Sequence, residues 1–145
     1  MELFRTVIEP STLFDRDLDW SSQFFFVGSC FAQSMANTLS PLGVNCYSNP
    51  YGTLYNPFST AALLQNCLSK KTWTHKDLLQ HEEKNYSLHH HSSIKPELAG
   101  LNSIEQKNLA ELKATDLLII THGTAWIYYL KSNQEAITNC HRLPA

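Results

Sequence analysis

The sequence lacks long apolar runs and clusters of positive charge. Its longest uninterrupted apolar stretch is about six residues, well short of the roughly 20 that a membrane-spanning helix requires. Lysine and arginine never cluster beyond the pair Lys70-Lys71, and the formal net charge is −2. These absences argue against a nucleic acid or a membrane surface as a partner.

Closely spaced cysteines are also absent. No Cys-x-x-Cys pair occurs, and we expect free thiols at Cys30, Cys46, Cys67 and Cys140. The first ten residues, MELFRTVIEP, have no basic stretch followed by an apolar one, so a cleavable signal peptide is not expected. With 43% hydrophobic and 17% charged residues over 145 positions, we expect one globular, cytoplasmic domain that needs no cofactor or metal.

Short apolar segments alternate with helical periodicities along the chain. Residues 24–27 and 116–121 are typical of strands buried on both faces. Further predicted elements are helices at 31–39, at 59–68 with Ser59 as its cap, and at 104–112; a short strand at 43–47; a long loop with pieces of strand at 72–100; and a hairpin at 126–140. This order predicts an α/β sheet, mostly parallel, with helices on both faces.

Both predicted buried strands end in small polar residues, Gly28-Ser29-Cys30 and Gly123-Thr124. In parallel sheets, ligands bind beyond the carboxyl ends of the strands. At the start of a helix, Ser29 could act as a nucleophile whose own N–H stabilises an oxyanion. Cys30 is the alternative nucleophile. The simpler interpretation makes Ser29 a helix N-cap and Cys30 a small buried side chain.

Five ordered segments resemble the blocks of a known family. They are GSCFA at 28–32, NPYGTLYNP at 49–57, HHS at 90–92, THGTAWIY at 121–128 and NCHRLP at 139–144. The chain therefore resembles the GSCFA domain family, which is grouped with the SGNH/GDSL-type hydrolases. That resemblance implies a three-layer α/β/α, flavodoxin-like sheet and an esterase or O-acyl hydrolase activity on a small-molecule or saccharide ester.

The resemblance also implies roles for particular residues. Ser29 would be the nucleophile, one position away from the serine of the Gly-Asp-Ser block, which leaves Cys30 as the alternative. The backbone N–H groups of Ser29 and Gly52 would form the oxyanion hole, although Gly52 could equally be a turn glycine. Asn56 would be a possible side-chain donor, and Gly123-Thr124 would form the opposite wall.

The sequence departs from the superfamily pattern at two places. Ala125 stands where the third block has an asparagine, and no Asp-x-x-His segment occurs in the chain. His141 is therefore the base that this sequence offers. The resemblance implies that residues 1–145 are the N-terminal portion of one GSCFA domain, with an incomplete sheet that tends to associate. The departures also favour a rival interpretation, a non-catalytic binding or scaffold domain; the oligomeric state stays open.

The sequence contains seven histidines, and one interpretation is that some of them bind a metal. The candidate ligands that lie close together in sequence are His75, His81 and the run 89–91. The alternative, which we prefer, is a polar loop in which His90 and His91 line a pocket or face solvent. In that interpretation His91 belongs to the binding residues and no metal is bound.

Overall fold

The structure, a computed structural model, describes residues 17–81, 84–87, 89–90 and 97–137. Its elements in chain order are β1 (Gln23–Gly28), α1 (Cys30–Leu39), β2 (Asn45–Ser48), α2 (Pro57–Leu68), β3 (Leu78–His81), β4 (Lys84–Ser87), α3 (Leu98–Ala114), β5 (Leu117–Thr121), β6 (Tyr128–Tyr129) and β7 (Ala136–Ile137). Short 3-10 turns lie at Ser40–Leu42 and His75–Asp77. The chain is therefore α/β, as predicted.

A three-stranded parallel sheet organises the described residues, in the order β2-β1-β5. The central strand β1 pairs with β5 from Phe24 opposite Leu117 to Gly28 opposite Thr121. Because the strands are parallel and in register, both carboxyl ends lie at the same edge of the sheet. The structure thus brings together the two strand ends that carry small polar residues.

Alternate residues of β1 face two separate hydrophobic clusters. On one face Phe26 packs with Ala32 and Ala36 of α1. On the other face Phe25 and Val27 belong to a cluster that includes side chains of α2 and α3. Helices therefore cover both faces of β1, as expected for a strand whose central residues are all apolar.

Helix α1 turns its small residues toward the sheet. The apolar repeat that predicts this helix contains Phe31 and Met35, but these side chains are 59% and 37% exposed. The buried positions are Ala32 and Ala36, whose small size lets the helix backbone approach β1 closely. The period predicts the helix correctly but does not identify its buried face.

Two predicted element boundaries are corrected. Helix α2 begins at Pro57, and its N-cap is Asn56 rather than Ser59, since the Asn56 side chain accepts a hydrogen bond from the Ser59 N–H. Helix α3 extends beyond the predicted 104–112 and is not simply a surface helix, because it buries Leu101, Glu105 and Asn108. A polar residue in a buried position gives no hydrophobic period, so the sequence pattern misses that face.

Strand β5 is the clearest departure from the predicted burial. The sequence predicts a strand buried on both faces, yet Leu118 and Ile120 are 38% and 43% exposed. Beside them in the sheet, Phe25 and Val27 are completely buried. The helices on that face therefore cover the central strand and leave the β5 side uncovered within the described residues.

The remaining segments form two small hairpins. β3 pairs with β4, and β6 pairs with β7, in both cases antiparallel. These confirm the short strands predicted within 72–100 and the hairpin around Ser132, although residues 138–140 lie outside the described part. Cys30, Cys46 and Cys67 are free thiols, while Cys140 is not described.

The described residues contain no group of three or more His, Cys, Asp or Glu side chains that could hold a metal ion. Among the same residues, no helix combines the length and apolar character needed to cross a membrane.

Candidate active site at the strand ends

Gly28 ends β1 in a backbone conformation that excludes a side chain. Its φ is +133°, and a Cβ atom placed there would lie 1.9 Å from the carbonyl oxygen of Thr121. The position therefore requires glycine for both conformational and steric reasons. The close approach of β1 and β5 at Gly28 directly precedes the start of α1 at Cys30.

Ser29 follows as the N-cap residue of α1, but its side chain makes no capping hydrogen bond. Its hydroxyl is instead hydrogen-bonded to the hydroxyl of Thr121, with 2.8 Å between Oγ and Oγ1. The Ser29 N–H donates to Thr121 as well, to its carbonyl oxygen at 3.0 Å and its Oγ1 at 3.1 Å. Ser29 is only 5% exposed. The neighbouring strand end, and not the helix, thus orients this hydroxyl.

Cys30 lies on the solvent side of the same turn. The expectation that Cys30 packs into the core is wrong, because its side chain is exposed. The buried position next to it belongs to Ala32. Exposure alone therefore does not favour Ser29 over Cys30 as a nucleophile, whereas the hydroxyl pair with Thr121 distinguishes Ser29 as the residue that the fold positions.

Asn49 is a site residue that the sequence reasoning missed. It is buried, and its side-chain Oδ1 accepts a hydrogen bond from the Gly28 N–H at 2.8 Å, while its Nδ2 donates to the Ser29 carbonyl at 3.3 Å. Its own N–H donates to the Phe26 carbonyl. Its φ is +41°, a region that asparagine tolerates better than most residues. The dipeptide Asn49-Pro50 signals such a turn, but nothing in it indicates the contacts with β1.

The backbone N–H groups of three predicted site residues are already engaged. The Gly52 N–H donates to the Asn49 carbonyl at 2.8 Å, which closes a turn in which Gly52 has φ +73°. The N–H groups of Gly123 and Thr124 both donate to the Tyr55 carbonyl, at 2.9 and 3.0 Å. In this conformation these three groups hold the strand-end loops together.

Asn56 lies beside this loop at the start of α2. Its side-chain oxygen accepts the Ser59 N–H at 2.8 Å, so the donor that this side chain can offer is its Nδ2 group. Asn56 is 4% exposed. The cap thus fixes the orientation of the amide.

Helix α1 presents the open donors of the site. Within the described part of the chain, the first-turn N–H of Ala32 donates to the Ser29 carbonyl, while those of Cys30 and Phe31 have no acceptor. Unpaired N–H groups at a helix N-terminus, together with the helix dipole, favour negative charge. They lie directly after the Ser29 hydroxyl in the chain.

Residues 23–145 of this chain match the GSCFA family. The protein belongs to the GSCFA family. The searches of curated proteins and of solved structures found no match. The name-giving motif of the family is, in this member, the turn at residues 28–32 from the end of β1 into α1.

Four histidines of this GSCFA protein bear on the site, and they fall into three groups. His91 and His141, predicted as a binding residue and as the base, lie outside the described residues. His122 directly follows β5 and is exposed. His90 is completely buried, which corrects the prediction that it lines a pocket or faces solvent. Within the described residues, no histidine is hydrogen-bonded to the Ser29 hydroxyl.

A second buried polar cluster lies on the α3 side of the sheet. Glu105, 5% exposed, accepts hydrogen bonds from the Trp73 indole N–H at 3.1 Å and the Tyr51 hydroxyl at 3.4 Å. The rings of Tyr51 and Trp73 also contact His90, whose Nδ1 is 2.5 Å from the Ser87 hydroxyl. Burial raises the pKa of Glu105 despite these two donors. This cluster is part of the core of the GSCFA protein and is separate from the strand-end site.

Proposed function

We propose that this GSCFA-family protein is an ester or O-acyl hydrolase in which Ser29 is the nucleophile. The observation that carries the proposal is the orientation of the Ser29 hydroxyl. It lies at the carboxyl end of the central strand, is hydrogen-bonded to Thr121 instead of capping α1, and precedes unpaired N–H groups. A serine that served only as a cap would point its hydroxyl back at its own helix.

The chemistry follows the usual two steps of acyl transfer. Ser29 Oγ attacks the acyl carbon while its proton passes to a base, for which His141 is our proposal. The carbonyl oxygen becomes an oxyanion, the alcohol leaves with a proton, and water then hydrolyses the acyl-serine. Because the N–H groups of Ser29 and Gly52 are engaged elsewhere, we propose Cys30 and Phe31 N–H as the oxyanion donors in the observed conformation.

Three other predicted residues take supporting positions in this proposal. The Asn56 Nδ2 group is the candidate side-chain donor, and Gly123-Thr124 forms the wall opposite Ser29. The loop that carries this wall is held by the Tyr55 carbonyl. The substrate would be a small-molecule or saccharide ester that approaches the edge where β1 and β5 end.

We also propose that the sheet is flavodoxin-like, with the three layers expected of SGNH-type hydrolases. The sheet order is β2-β1-β5. When only the parallel strands are numbered along the chain, this order is 2-1-3, which begins the flavodoxin-like order 2-1-3-4-5. Helix α1 packs on one face of β1 and α2 and α3 on the other. Both observations support the proposal.

We propose further that residues 1–145 form the N-terminal portion of one GSCFA domain whose sheet continues past β5. The support is the exposure of Leu118 and Ile120 beside completely buried neighbours. Exposed apolar strand surfaces favour association. We therefore expect the isolated chain to show concentration-dependent association in analytical ultracentrifugation, reduced in a Leu118→Lys/Ile120→Lys variant. A monodisperse monomer at all concentrations would contradict this.

A non-catalytic binding domain is the second candidate. It is favoured by the burial of Ser29, whose hydroxyl and N–H both contact Thr121, and by Ala125 in the place of an asparagine donor. In this reading the hydroxyl pair stabilises the strand ends. Ligands would bind at the sheet edge where β1 and β5 end, and no reaction would follow.

Hydrolysis of p-nitrophenyl acetate separates these candidates. We expect Ser29→Ala to abolish the protein-dependent rate and Cys30→Ala to preserve most of it, because only the Ser29 hydroxyl is oriented by the sheet. The matched control is Ser34→Ala, which makes the same change at an exposed position of the same helix. An equal rate in wild type and Ser29→Ala would reject the hydrolase, and loss only in Cys30→Ala would make Cys30 the nucleophile.

A further inference from the structure

A pocket of about 340 Å³ lies between α2, the segment that follows it and the β6–β7 hairpin. This volume is at the lower end of the range typical of small-molecule sites, about 300–1,000 Å³. None of the strand-end residues lines the pocket. We call it the α2–hairpin pocket. The described residues that line it include Gln65, Asn66, Lys71, Leu79, His89 and Asn133.

The described residues that line the α2–hairpin pocket carry charges that balance one another. Lys71 pairs with Asp77, 2.7 Å from Nζ to Oδ1, and its Nζ also lies 4.6 Å from the centre of the Trp73 ring. The other charged lining residues in the described part of the chain are Lys76 and Glu135, one of each sign. Such a lining offers neither the excess of positive charge that selects a phosphate nor the excess of negative charge that selects a cation.

The uncharged lining is of two kinds. Gln65 and Asn66 supply amide groups that can both donate and accept hydrogen bonds. The Asn133 amide is already bound to Glu135, because its Nδ2 donates to Glu135 Oε2 at 3.1 Å and its Oδ1 accepts the Glu135 N–H at 3.0 Å. Leucine side chains supply an apolar surface; they are Leu78, Leu79 and Leu130. Amides beside an apolar wall suit a ligand that has many hydroxyls and an apolar C–H face.

His89 adds a polar atom that lacks a partner. Its Nδ1 is buried and has no hydrogen bond within the described part of the chain. Burial lowers the pKa of His89, so the ring is neutral near pH 7. The ring lies 5.9 Å from that of Phe58, near the start of α2. A buried polar group of this kind is satisfied when a ligand supplies the missing hydrogen bond.

We propose that the α2–hairpin pocket is a binding site for a neutral saccharide, with Gln65, Asn66 and His89 as the polar contacts. Because the charges of the described lining residues balance, we expect a neutral sugar to be preferred over sugar phosphates and amino sugars. The inference does not depend on the hydrolase, because no described residue belongs both to the pocket and to the strand-end site, and binding requires no chemistry at Ser29.

Saturation-transfer NMR and calorimetry with cellobiose and maltose test the site. We expect both neutral disaccharides to bind, and Gln65→Ala/Asn66→Ala to weaken binding about tenfold or more, since two hydrogen bonds of roughly 1 kcal/mol each are lost. Neither side chain makes a hydrogen bond of its own within the described residues, so the double variant is expected to fold. Asn37→Ala, exposed on α1, is the control and should bind normally.

Three results would overturn the proposal. They are no transfer to either neutral sugar, stronger binding of glucose 6-phosphate or glucosamine than of the neutral sugars, and unchanged affinity in the double variant. The Ser29→Ala variant should bind the disaccharides as wild type does. Failure of hydrolysis with intact sugar binding would therefore reject only the hydrolase, and the converse would reject only this pocket.

Discussion

At the scale of single residues, the strand-end site depends on a few positions where the backbone conformation and the side-chain contacts require one particular amino acid. The Thr121 carbonyl leaves no space for a side chain at Gly28, and the Gly28 N–H donates a hydrogen bond to Asn49 Oδ1. These two residues fix the turn that places the Ser29 hydroxyl 2.8 Å from that of Thr121. The position of the Ser29 hydroxyl is thus determined by the backbone geometry of this turn, whether or not Ser29 is catalytic.

We predict that Gly28→Ala strongly destabilises the protein. The new Cβ would overlap the Thr121 carbonyl oxygen at 1.9 Å and occupy a φ of +133°. Overpacking and backbone strain each cost about 1–3 kcal/mol, so urea unfolding should show a loss of about 3 kcal/mol or more.

Gly100→Ala is the matched control, since a Cβ there meets nothing within 4 Å and the residue lies in α3. It should stabilise the protein by about 0.5–1 kcal/mol. Equal effects of the two substitutions would contradict the role of the turn.

The sequence predicts the location of the site at this scale better than its contacts. That Ser29 and Thr121 would be close follows from placing two strand ends at one edge. The burial of Ser29 and exposure of Cys30 do not follow, because the two residues are adjacent and the rotation of α1 decides which faces inward. The contacts of Asn49 depend on β2 lying beside β1, which no local pattern contains.

At the scale of elements, the sequence predicts which helices and strands form but not which side of each one is buried. The strand and helix around the Ser29 turn follow from a short apolar run and a helical period. The buried side of α1 does not, because Ala32 and Ala36 are weakly apolar and pack by being small, while the larger Phe31 is exposed. Likewise the apolar run of β5 predicts a strand but not that one of its faces stays uncovered.

Helix α2 allows a test of capping separate from catalysis. We predict that Asn56→Ala destabilises the protein by about 1 kcal/mol, because the Ser59 N–H loses its acceptor. Asn56→Asp keeps the acceptor and should retain stability in thermal unfolding.

The same pair of variants tests the proposed Nδ2 donor. Asn56→Asp removes the Nδ2 donor while preserving the cap, so ester hydrolysis should fall although the helix stays intact. If Asn56→Asp hydrolyses the ester at the wild-type rate, Asn56 serves the cap alone.

At the scale of the whole molecule, the fold places a carboxyl group inside its core. Glu105 is held by Trp73 and Tyr51, yet desolvation outweighs their hydrogen bonds and raises its pKa. A group whose pKa is higher in the folded than in the unfolded state stabilises the fold most when it is protonated. That contribution is lost as the pH rises through the folded pKa.

We therefore predict that Glu105→Gln stabilises the protein near pH 7 relative to wild type, with a smaller difference near pH 4. The Gln side chain stays neutral, its oxygen can accept the Trp73 N–H, and its amide can donate to the Tyr51 hydroxyl. The measurement is the melting temperature of both proteins across this range, where 1 kcal/mol corresponds to about 2–4 °C.

Glu97→Gln, at an exposed position, is the control for removal of one negative charge. A Glu105→Gln variant that is less stable than wild type at pH 7 would mean that the carboxylate is preferred in the core.

The central claim is that the fold presents Ser29 as a nucleophile, and a fluorophosphonate probe tests it most directly. Intact-mass and peptide mass spectrometry should find one adduct on Ser29 in wild type and in Cys30→Ala, and none in Ser29→Ala. An adduct on Cys30, or no adduct on the folded wild-type protein, would contradict the claim.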